Sequence, residues 1–311
     1  MNIYRCAMEK KKKIKPFLHI KTNVRALQDG CNLINRNATM LLLSCGMLML
    51  GISVLCAFLS VMKIDSVVQV MLLGTKSLGD ISLGVFALTG AVLLLVLFFE
   101  VMIFAIFKKF TEHGFIPQIT WKSVWKPTLA LSRRSLLVLV WGMFEWTLFL
   151  AITYYLYTMS VWLLIPMGIL GVFLCFWIRN QVIDFSLGTS SLIDSITASL
   201  KLTTKGFMSF LGCEVLLLIV MIVLVALCLM PSATCIFIDY KAQLSIMMGD
   251  EGDLPGYFTA VYFIASMVTS FLILVILAYY ISCTSMLYGA VLSRISRRND
   301  NSNPTDISSV E

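Results

Sequence analysis

Three glutamate residues each stand alone in a long apolar stretch of this sequence. Glu145 lies in "LLVLVWGMFEWTLFL" (136–150), Glu100 in "LLLVLFFEVMIF" and Glu214 in "FLGCEVLLLIV". An ionised side chain at the centre of a bilayer costs roughly 2.5–3.5 kcal/mol even on the most lenient insertion scale. We therefore expect all three carboxyl groups to face the interior of a helix bundle or a water-filled cavity.

The three carboxyl groups also share a depth. At 1.5 Å per residue, Glu100, Glu145 and Glu214 lie about 10, 13 and 10 Å from the end of the apolar run that we assign to the cytoplasmic side. This predicts one intramembrane polar layer on three helices. Such a layer either holds helices together through hydrogen bonds or serves a polar ligand or protons, and the sequence leaves both alternatives open.

The surrounding sequence predicts an all-α, polytopic transmembrane bundle. Hydrophobic residues make up 59% of the 311 residues and charged residues only 13%, whereas a soluble domain has about 25% charged residues. Runs of roughly 18 or more apolar residues are typical of spanning helices. Six such runs occur: Thr39–Met62, Leu83–Phe107, Leu136–Thr158, Val161–Ile178, Phe207–Met230 and Tyr257–Tyr280.

The basic residues predict the orientation of the chain. Of the 24 Lys and Arg residues, 21 fall in segments 1–38, 108–135, 179–206 and 293–311, which alternate with the other connections. Cytoplasmic segments carry such an excess, so we expect both termini in the cytoplasm. The net charge of +7 therefore reports topology, and it does not indicate a nucleic-acid partner.

Three basic, amphipathic segments each precede a helix that is expected to run outward. The first repeats apolar residues from Phe17 to Ile34 at steps of three and four. The second is "WKSVWKPTLALSRRS" (121–135), and the third, "SSLIDSITASLKLTTKG" (190–206), begins with a Ser191–Asp194 pair that could cap a helix. We expect three cytoplasmic helices lying in the headgroup plane with their basic faces toward anionic lipid.

These elements give a domain organisation. Residues 1–38 form a basic cytoplasmic segment with an amphipathic helix, and residues 39–292 form the six-helix membrane domain with a helical extension after Tyr280. Residues 293–311 form a disordered cytoplasmic tail. Five aromatic residues are expected to anchor the inner membrane interface, where rings with polar tips are favoured: Trp121, Trp125, Trp177, Tyr279 and Tyr280.

The residues that usually carry metal or covalent chemistry are sparse. The two histidines are His19 and His113, and the nine cysteines include no C-x-x-C pair, so the sequence predicts no metal or redox site. Walker A, G-x-S-x-G, H-E-x-x-H and dinucleotide-binding motifs are missing from the sequence. We therefore expect no cofactor and no enzymatic activity.

One stretch carries a resemblance to a known group of proteins. "SLIDSITASLKLTTKGFMSFLGCEVLLLIV" (191–220) is a basic amphipathic lead followed by an apolar helix. It is similar to the pattern in a loose group of uncharacterised bacterial six-helix membrane proteins, which includes the membrane domain of some glycerophosphodiester phosphodiesterases. The resemblance implies a multi-pass protein of the bacterial cytoplasmic (inner) membrane, and it assigns no site residues.

Three functions remain as hypotheses. The first is a non-enzymatic membrane protein that binds membrane lipids or partner membrane subunits. The second is a small secondary transporter or permease subunit that uses Glu100, Glu145 and Glu214 for protons or cations. The third is an enzyme that acts on a lipid headgroup at the inner interface.

Overall fold

The chain is all-α in the residues that the structure describes. The computed structural model describes residues 22–73, 83–113, 121–160, 162, 164–187, 191–249 and 254–302. These residues form seven α-helices: α1 (Asn23–Arg36), α2 (Ala38–Leu73), α3 (Leu83–His113), α4 (Trp121–Met159), α5 (Leu164–Leu187), α6 (Leu192–Met247) and α7 (Phe258–Ser302).

Six of these helices, α2 to α7, are long and apolar enough to cross a membrane, so the chain is a multi-pass integral membrane protein. Helix α6 has 56 residues, which is about 84 Å of helix against a hydrocarbon core of about 30 Å. The candidate spans are Leu41–Ile64, Ala87–Lys108, Thr128–Thr158, Ile165–Leu187, Leu192–Met247 and Phe258–Arg297.

The distribution of polarity also fits a lipid environment. Large apolar side chains such as Leu216, Ile219 and Ile222 on α6 are exposed. Polar side chains such as Asn180 and Gln181 on α5 are fully buried. Exposed hydrocarbon is favourable against lipid tails, while buried polar groups can satisfy one another between helices.

Of the three amphipathic segments, one forms a separate helix and two are continuous with the helices that follow them. Residues 23–36 of the first form the separate helix α1, which is capped by the Thr22 hydroxyl group accepting from the backbone N–H of Arg25. The second and third segments are continuous with the helices that follow, because α4 begins at Trp121 and α6 at Leu192. Ser191 caps α6 as the sequence predicts, since its hydroxyl oxygen accepts from the Asp194 backbone N–H at 3.3 Å.

The chain divides into two compact units. Unit 1 comprises Met1–Met40, Val101–Leu217 and Ile281–Glu311, so among the described helices it contains α1, α4 and α5 entirely. Helices α4 and α5 form an antiparallel hairpin, with the Arg134 guanidinium group 4.4 Å from the centre of the Phe185 ring near one end. Toward the other end, Phe149 lies against Gly171, and a Cβ atom there would be 3.2 Å from the Phe149 ring.

Helices α6 and α7 approach each other very closely within unit 1. A Cβ atom at Gly206 of α6 would lie 2.7 Å from Cγ1 of Val291 on α7. The lack of a side chain at Gly206 therefore leaves room for the Val291 side chain between the two helices. Residues 281–291 of α7 are buried without exception, so this part of α7 forms the centre of unit 1.

Unit 2 comprises Leu41–Glu100 and Leu218–Tyr280. Within it, the exposed Phe58 ring of α2 makes an edge-to-face contact with Phe263 of α7, with ring centres 5.0 Å apart. Pro231 lies inside α6 and provides no backbone N–H. One turn away on the same helix, the Cys228 carbonyl group accepts a hydrogen bond from the Thr269 hydroxyl group at 3.0 Å, which fastens α7 to α6.

Candidate functional site

The three predicted glutamates occupy three different environments. Glu100 on α3 belongs to unit 2, whereas Glu145 on α4 and Glu214 on α6 belong to unit 1. Glu100 and Glu145 are half-buried, and Glu214 is fully buried. Each of the two glutamates in unit 1 has a partner of its own, which is Trp141 for Glu145 and Arg179 for Glu214.

Glu214 forms a buried ion pair with Arg179. The Glu214 side chain is 2% exposed and the Arg179 side chain 16% exposed. The Arg179 guanidinium group also lies 6.0 Å from the centre of the Phe176 ring and 5.9 Å from that of Phe210, so aromatic faces surround the cation. The two opposite charges neutralise each other and link α5 to α6. Because both groups are removed from water, loss of either one would leave the other as an uncompensated buried charge.

Arg179 was not among the predicted site residues. The sequence interpretation assigned it to the connection after Ile178, where it counted toward the cytoplasmic charge. In the structure, α5 continues to Leu187, and Arg179 lies inside the candidate span Ile165–Leu187. A signal was present, because an acid such as Glu214 inside one span calls for a cation on a neighbouring helix.

The end of α5 carries further buried polar groups. Asn180, fully buried, donates through Nδ2 to the hydroxyl oxygen of Thr203 on α6 at 3.0 Å. One turn later, Asp184 accepts a hydrogen bond of 2.7 Å from the hydroxyl group of Tyr288 on α7. These contacts and the ion pair connect α5, α6 and α7, and we call Arg179, Asn180, Asp184, Thr203, Glu214 and Tyr288 the polar core of unit 1.

Two buried polar side chains beside the polar core have no hydrogen-bond partner within the described part of the chain. They are Gln181, through both atoms of its amide group, and Ser285, through its hydroxyl group. Both side chains are fully buried. Gln181 and Ser285 each precede a member of the Asp184–Tyr288 pair by three residues, which is about one helical turn.

The start of α6 buries a polar stripe. Ser195, Ser199 and Thr203, spaced four residues apart, are fully buried, whereas Ile193 and Met208 are largely exposed. The sequence predicts an amphipathic helix on the membrane surface here, and its apolar residues Leu192, Ile196 and Leu200 would then face the lipid. In a membrane-spanning helix, small polar residues favour close packing between helices while apolar residues can face lipid.

Glu145 has a different kind of surroundings. Its Oε1 atom accepts a 2.6 Å hydrogen bond from the indole N–H of Trp141, one turn earlier on the same helix. Its Oε2 atom has no hydrogen-bond partner within the described residues. The neighbouring Phe144 and Leu148 are more than half exposed. Glu145 therefore lies at the margin of an exposed apolar face.

Helix α1 is held against α6 and α7 by contacts at its first residue and near its middle. Arg294 of α7 donates to Oδ1 of Asn23, whose Nδ2 atom lies 3.5 Å from the carbonyl oxygen of Ser209. Ser282 of α7 donates to the carbonyl oxygen of Gly30 at 3.1 Å. A buried face packs against the protein, and it consists of Ala26, Gly30, Leu33 and Ile34. Val24, one of the regularly spaced apolar residues of this segment, is exposed.

The predicted interfacial anchors are described in part. Trp177 is half-buried and donates from its indole N–H to the Ile196 carbonyl group at 3.4 Å, so its polar tip binds protein. Tyr279 and Tyr280 are half-buried on α7. Trp121 and Trp125 lie on the first turns of α4, and their side chains are outside the described residues.

The described residues contain no group of three or more His, Cys, Asp or Glu side chains that could hold a metal ion. No protein-family model, curated protein sequence or solved structure matches this chain. The function of the site therefore has to follow from the chemical groups that it contains. That chemistry comprises a neutralised charge pair with its hydrogen bonds in unit 1, and one half-buried carboxyl group on α4.

Proposed function

We propose that this chain is a non-enzymatic protein of the bacterial cytoplasmic membrane, with both termini in the cytoplasm, that associates with a second copy of itself through α4. The observation that carries the proposal is Glu145. Its Oε2 atom is buried within the chain and lacks a partner among the described residues, while its own helix exposes apolar side chains around it. Lipid tails offer no hydrogen bond, so a second protein molecule can supply one when the half-buried Glu145 side chain turns toward the exposed side of α4.

The face of α4 around Glu145 has the spacing of a helix-packing surface. Exposed apolar residues follow one another at steps of three and four along this face, and we call them, together with Glu145, the α4 outer face. They are Leu137, Trp141, Phe144, Leu148 and Ile152. Side chains at these steps share one side of a helix and can interdigitate with those of a facing helix.

A second copy of the chain fits this face better than an unrelated partner does. A protonated carboxyl group is both a donor and an acceptor, so two Glu145 side chains can satisfy each other across a two-fold axis. A two-fold interface brings the same patch from both copies together, and the α4 outer face supplies apolar residues on both sides of the carboxyl group. The energy comes from giving a hydrogen bond to a carboxyl oxygen that has no partner among the described residues, and from packing of the two apolar faces.

Basic residues at helix starts support a second part of the proposal, the binding of anionic lipid. Lys201 and Lys205 are exposed one turn apart near the start of α6, and Arg133 is exposed on α4. Basic residues beside spanning helices attract anionic headgroups. Native mass spectrometry should find anionic lipid retained by the protein, and Lys201→Gln with Lys205→Gln should retain less. Equal retention by the parent protein and the double variant would contradict this part.

Subunit counting tests the self-association. The labelled protein is placed at high dilution in lipid vesicles, and photobleaching steps are counted for each fluorescent spot. We expect two steps for the parent protein and for Glu145→Gln, whose amide group still donates and accepts. Glu145→Leu should give one step. Thr147→Val is the matched control, because that hydroxyl group donates to the carbonyl group of Met143 in its own helix.

Two results would contradict the self-association. One is a single photobleaching step for the parent protein at every density in the bilayer. The other is an unchanged two-step count for Glu145→Leu, which would show that copies associate through a surface other than the carboxyl group of α4.

A permease subunit is the second candidate, and the unpartnered groups of Gln181 and Ser285 favour it. A polar permeant or a chain of waters would satisfy them. In a background in which all nine cysteines are replaced by serine, Ser285→Cys should then react with a water-soluble methanethiosulfonate cation. Protection of that cysteine in the folded protein, with reaction only after denaturation, would contradict a water-accessible path.

A further inference from the structure

Two cysteines from distant parts of the sequence meet in unit 1. The Sγ atoms of Cys31 on α1 and Cys283 on α7 lie 3.4 Å apart. Both residues carry free thiol groups in this structure. Because they are 252 residues apart in the chain, the contact depends on the docking of α1 against α7.

Gly30 makes this approach possible. A Cβ atom at Gly30 would lie 2.7 Å from Cα of Cys283 and 2.9 Å from its backbone nitrogen. Backbone atoms cannot rotate away as a flexible side chain can, so a residue larger than glycine would push α1 off α7. The absence of a side chain at position 30 therefore brings the neighbouring Cys31 thiol against Cys283.

The two thiols differ in access to solvent. Cys31 is half-buried, and α1 is not one of the candidate spans. Cys283 is fully buried, and its Sγ atom also lies 3.5 Å from the carbonyl oxygen of Leu27. A reagent from solution would therefore meet Cys31 first, and Cys283 would be positioned directly behind it.

We propose that Cys31 and Cys283 form a reversible disulfide bond by exchange with a small-molecule disulfide such as oxidised glutathione. The Cys31 thiolate attacks one sulphur atom of the oxidant, which gives a mixed disulfide and expels one thiolate. The Cys283 thiolate then attacks the Cys31 sulphur atom and expels the second thiolate. The two cysteine protons end on the two released thiols, so the protein loses two electrons and the oxidant gains them.

The geometry requires only a small movement. A disulfide bond is about 2.05 Å long, so the sulphur atoms have to approach by about 1.4 Å. Helix α1 is held by side-chain contacts to α6 and α7 and can adjust by that amount more easily than the buried segment 281–291. Oxidation would fasten α1 to α7 covalently, and reduction would leave only the contacts through Asn23, Gly30 and the apolar face.

Peptide mass spectrometry of the full chain tests this site. The purified protein in lipid nanodiscs is incubated with oxidised glutathione, free thiols are blocked with N-ethylmaleimide, and the protein is digested. We expect a linked peptide pair containing Cys31 and Cys283 whose mass is lower than the sum by two hydrogen atoms. Dithiothreitol should abolish it. Cys283→Ser should stop at a glutathione adduct on Cys31, and Cys45→Ser should change nothing.

Two further results would overturn the proposal. One is recovery of Cys31 and Cys283 as separate maleimide adducts after oxidation. The other is a glutathione adduct on Cys31 that persists in the parent protein, because it would mean that Cys283 cannot reach it. Gly30→Ala tests whether the close approach of α1 to α7 is required, and it should lower the yield of the linked pair several-fold. Gly46→Ala is its control, since a Cβ atom there meets nothing within 4 Å.

Discussion

The polar core of unit 1 and the α4 outer face each contain a glutamate carboxyl group, but its surroundings differ between the two. In the polar core, the Glu214 carboxyl group is buried against the Arg179 guanidinium group between α5 and α6. On the α4 outer face, the Glu145 carboxyl group has one hydrogen bond within the described part of the chain, from Trp141 of its own helix, and exposed apolar residues lie around it. The neighbours of a membrane glutamate thus determine what it does: the first region stabilises the fold, and the second is the surface through which we propose that two copies associate.

The largest effect that the comparison predicts lies in the buried ion pair. Glu214→Leu leaves the Arg179 guanidinium group buried without its counter-charge, which should lower the free energy of unfolding by about 3–5 kcal/mol. The double variant with Arg179→Met and Glu214→Leu should recover most of the lost free energy of unfolding. Reversible unfolding in mixed micelles measures both. A double variant that is as unstable as Glu214→Leu would show that the pair does not act as a unit.

The next effect concerns the two sides of α6. Gly206→Ala places a methyl group 2.7 Å from Cγ1 of Val291, and such overpacking should cost about 1–3 kcal/mol. Gly212→Ala on the same helix meets nothing within 4 Å and should be neutral or stabilising. Thermal unfolding of the two variants checks this contrast. Equal losses would mean that close approach of α7 does not depend on Gly206.

A third prediction concerns the Asp184–Tyr288 hydrogen bond. Tyr288→Phe removes the donor and leaves the Asp184 carboxyl group without that partner, so the free energy of unfolding should fall by about 1–3 kcal/mol. Tyr257→Phe removes an exposed hydroxyl group ahead of α7 and should have no measurable effect. The comparison fails if the two tyrosine variants unfold at the same denaturant concentration.

The smallest effect is expected at Gln181. Its amide group has no hydrogen bond within the described residues, so Gln181→Leu should change the free energy of unfolding by no more than about 1 kcal/mol, or raise it. The adjacent Asn180→Leu removes the hydrogen bond to Thr203 and should be clearly destabilising. A large loss in Gln181→Leu would indicate that an unidentified molecule binds the amide group.

The helices themselves followed from the sequence. Six long apolar runs predict six helices that can span a membrane, and the described residues contain six such helices. Hydrophobicity and length suffice for this, because every spanning segment has to satisfy its own backbone hydrogen bonds. The lengths of the helices did not follow as well. Residues 121–135 and 192–206 were predicted as separate surface helices, but they form the first turns of α4 and α6.

The partners of the polar groups did not follow from the sequence. The Glu214–Arg179 pair depends on which faces of α5 and α6 meet, and no spacing along the chain encodes that. The polar stripe Ser195, Ser199 and Thr203 was visible as a repeat of four. It was outweighed by the apolar stripe beside it, because the amphipathic pattern was interpreted for a helix lying on the membrane surface. The Cys31–Cys283 contact joins residues too distant for any local pattern.

The most direct test of the contrast is the free energy of unfolding of Glu145→Leu and Glu214→Leu, measured side by side in micelles that keep the protein monomeric. The account predicts that Glu214→Leu loses about 3–5 kcal/mol while Glu145→Leu loses less than about 1 kcal/mol, because only the first breaks a buried ion pair. Equal losses in the two variants would contradict it and would make both carboxyl groups internal supports of the fold.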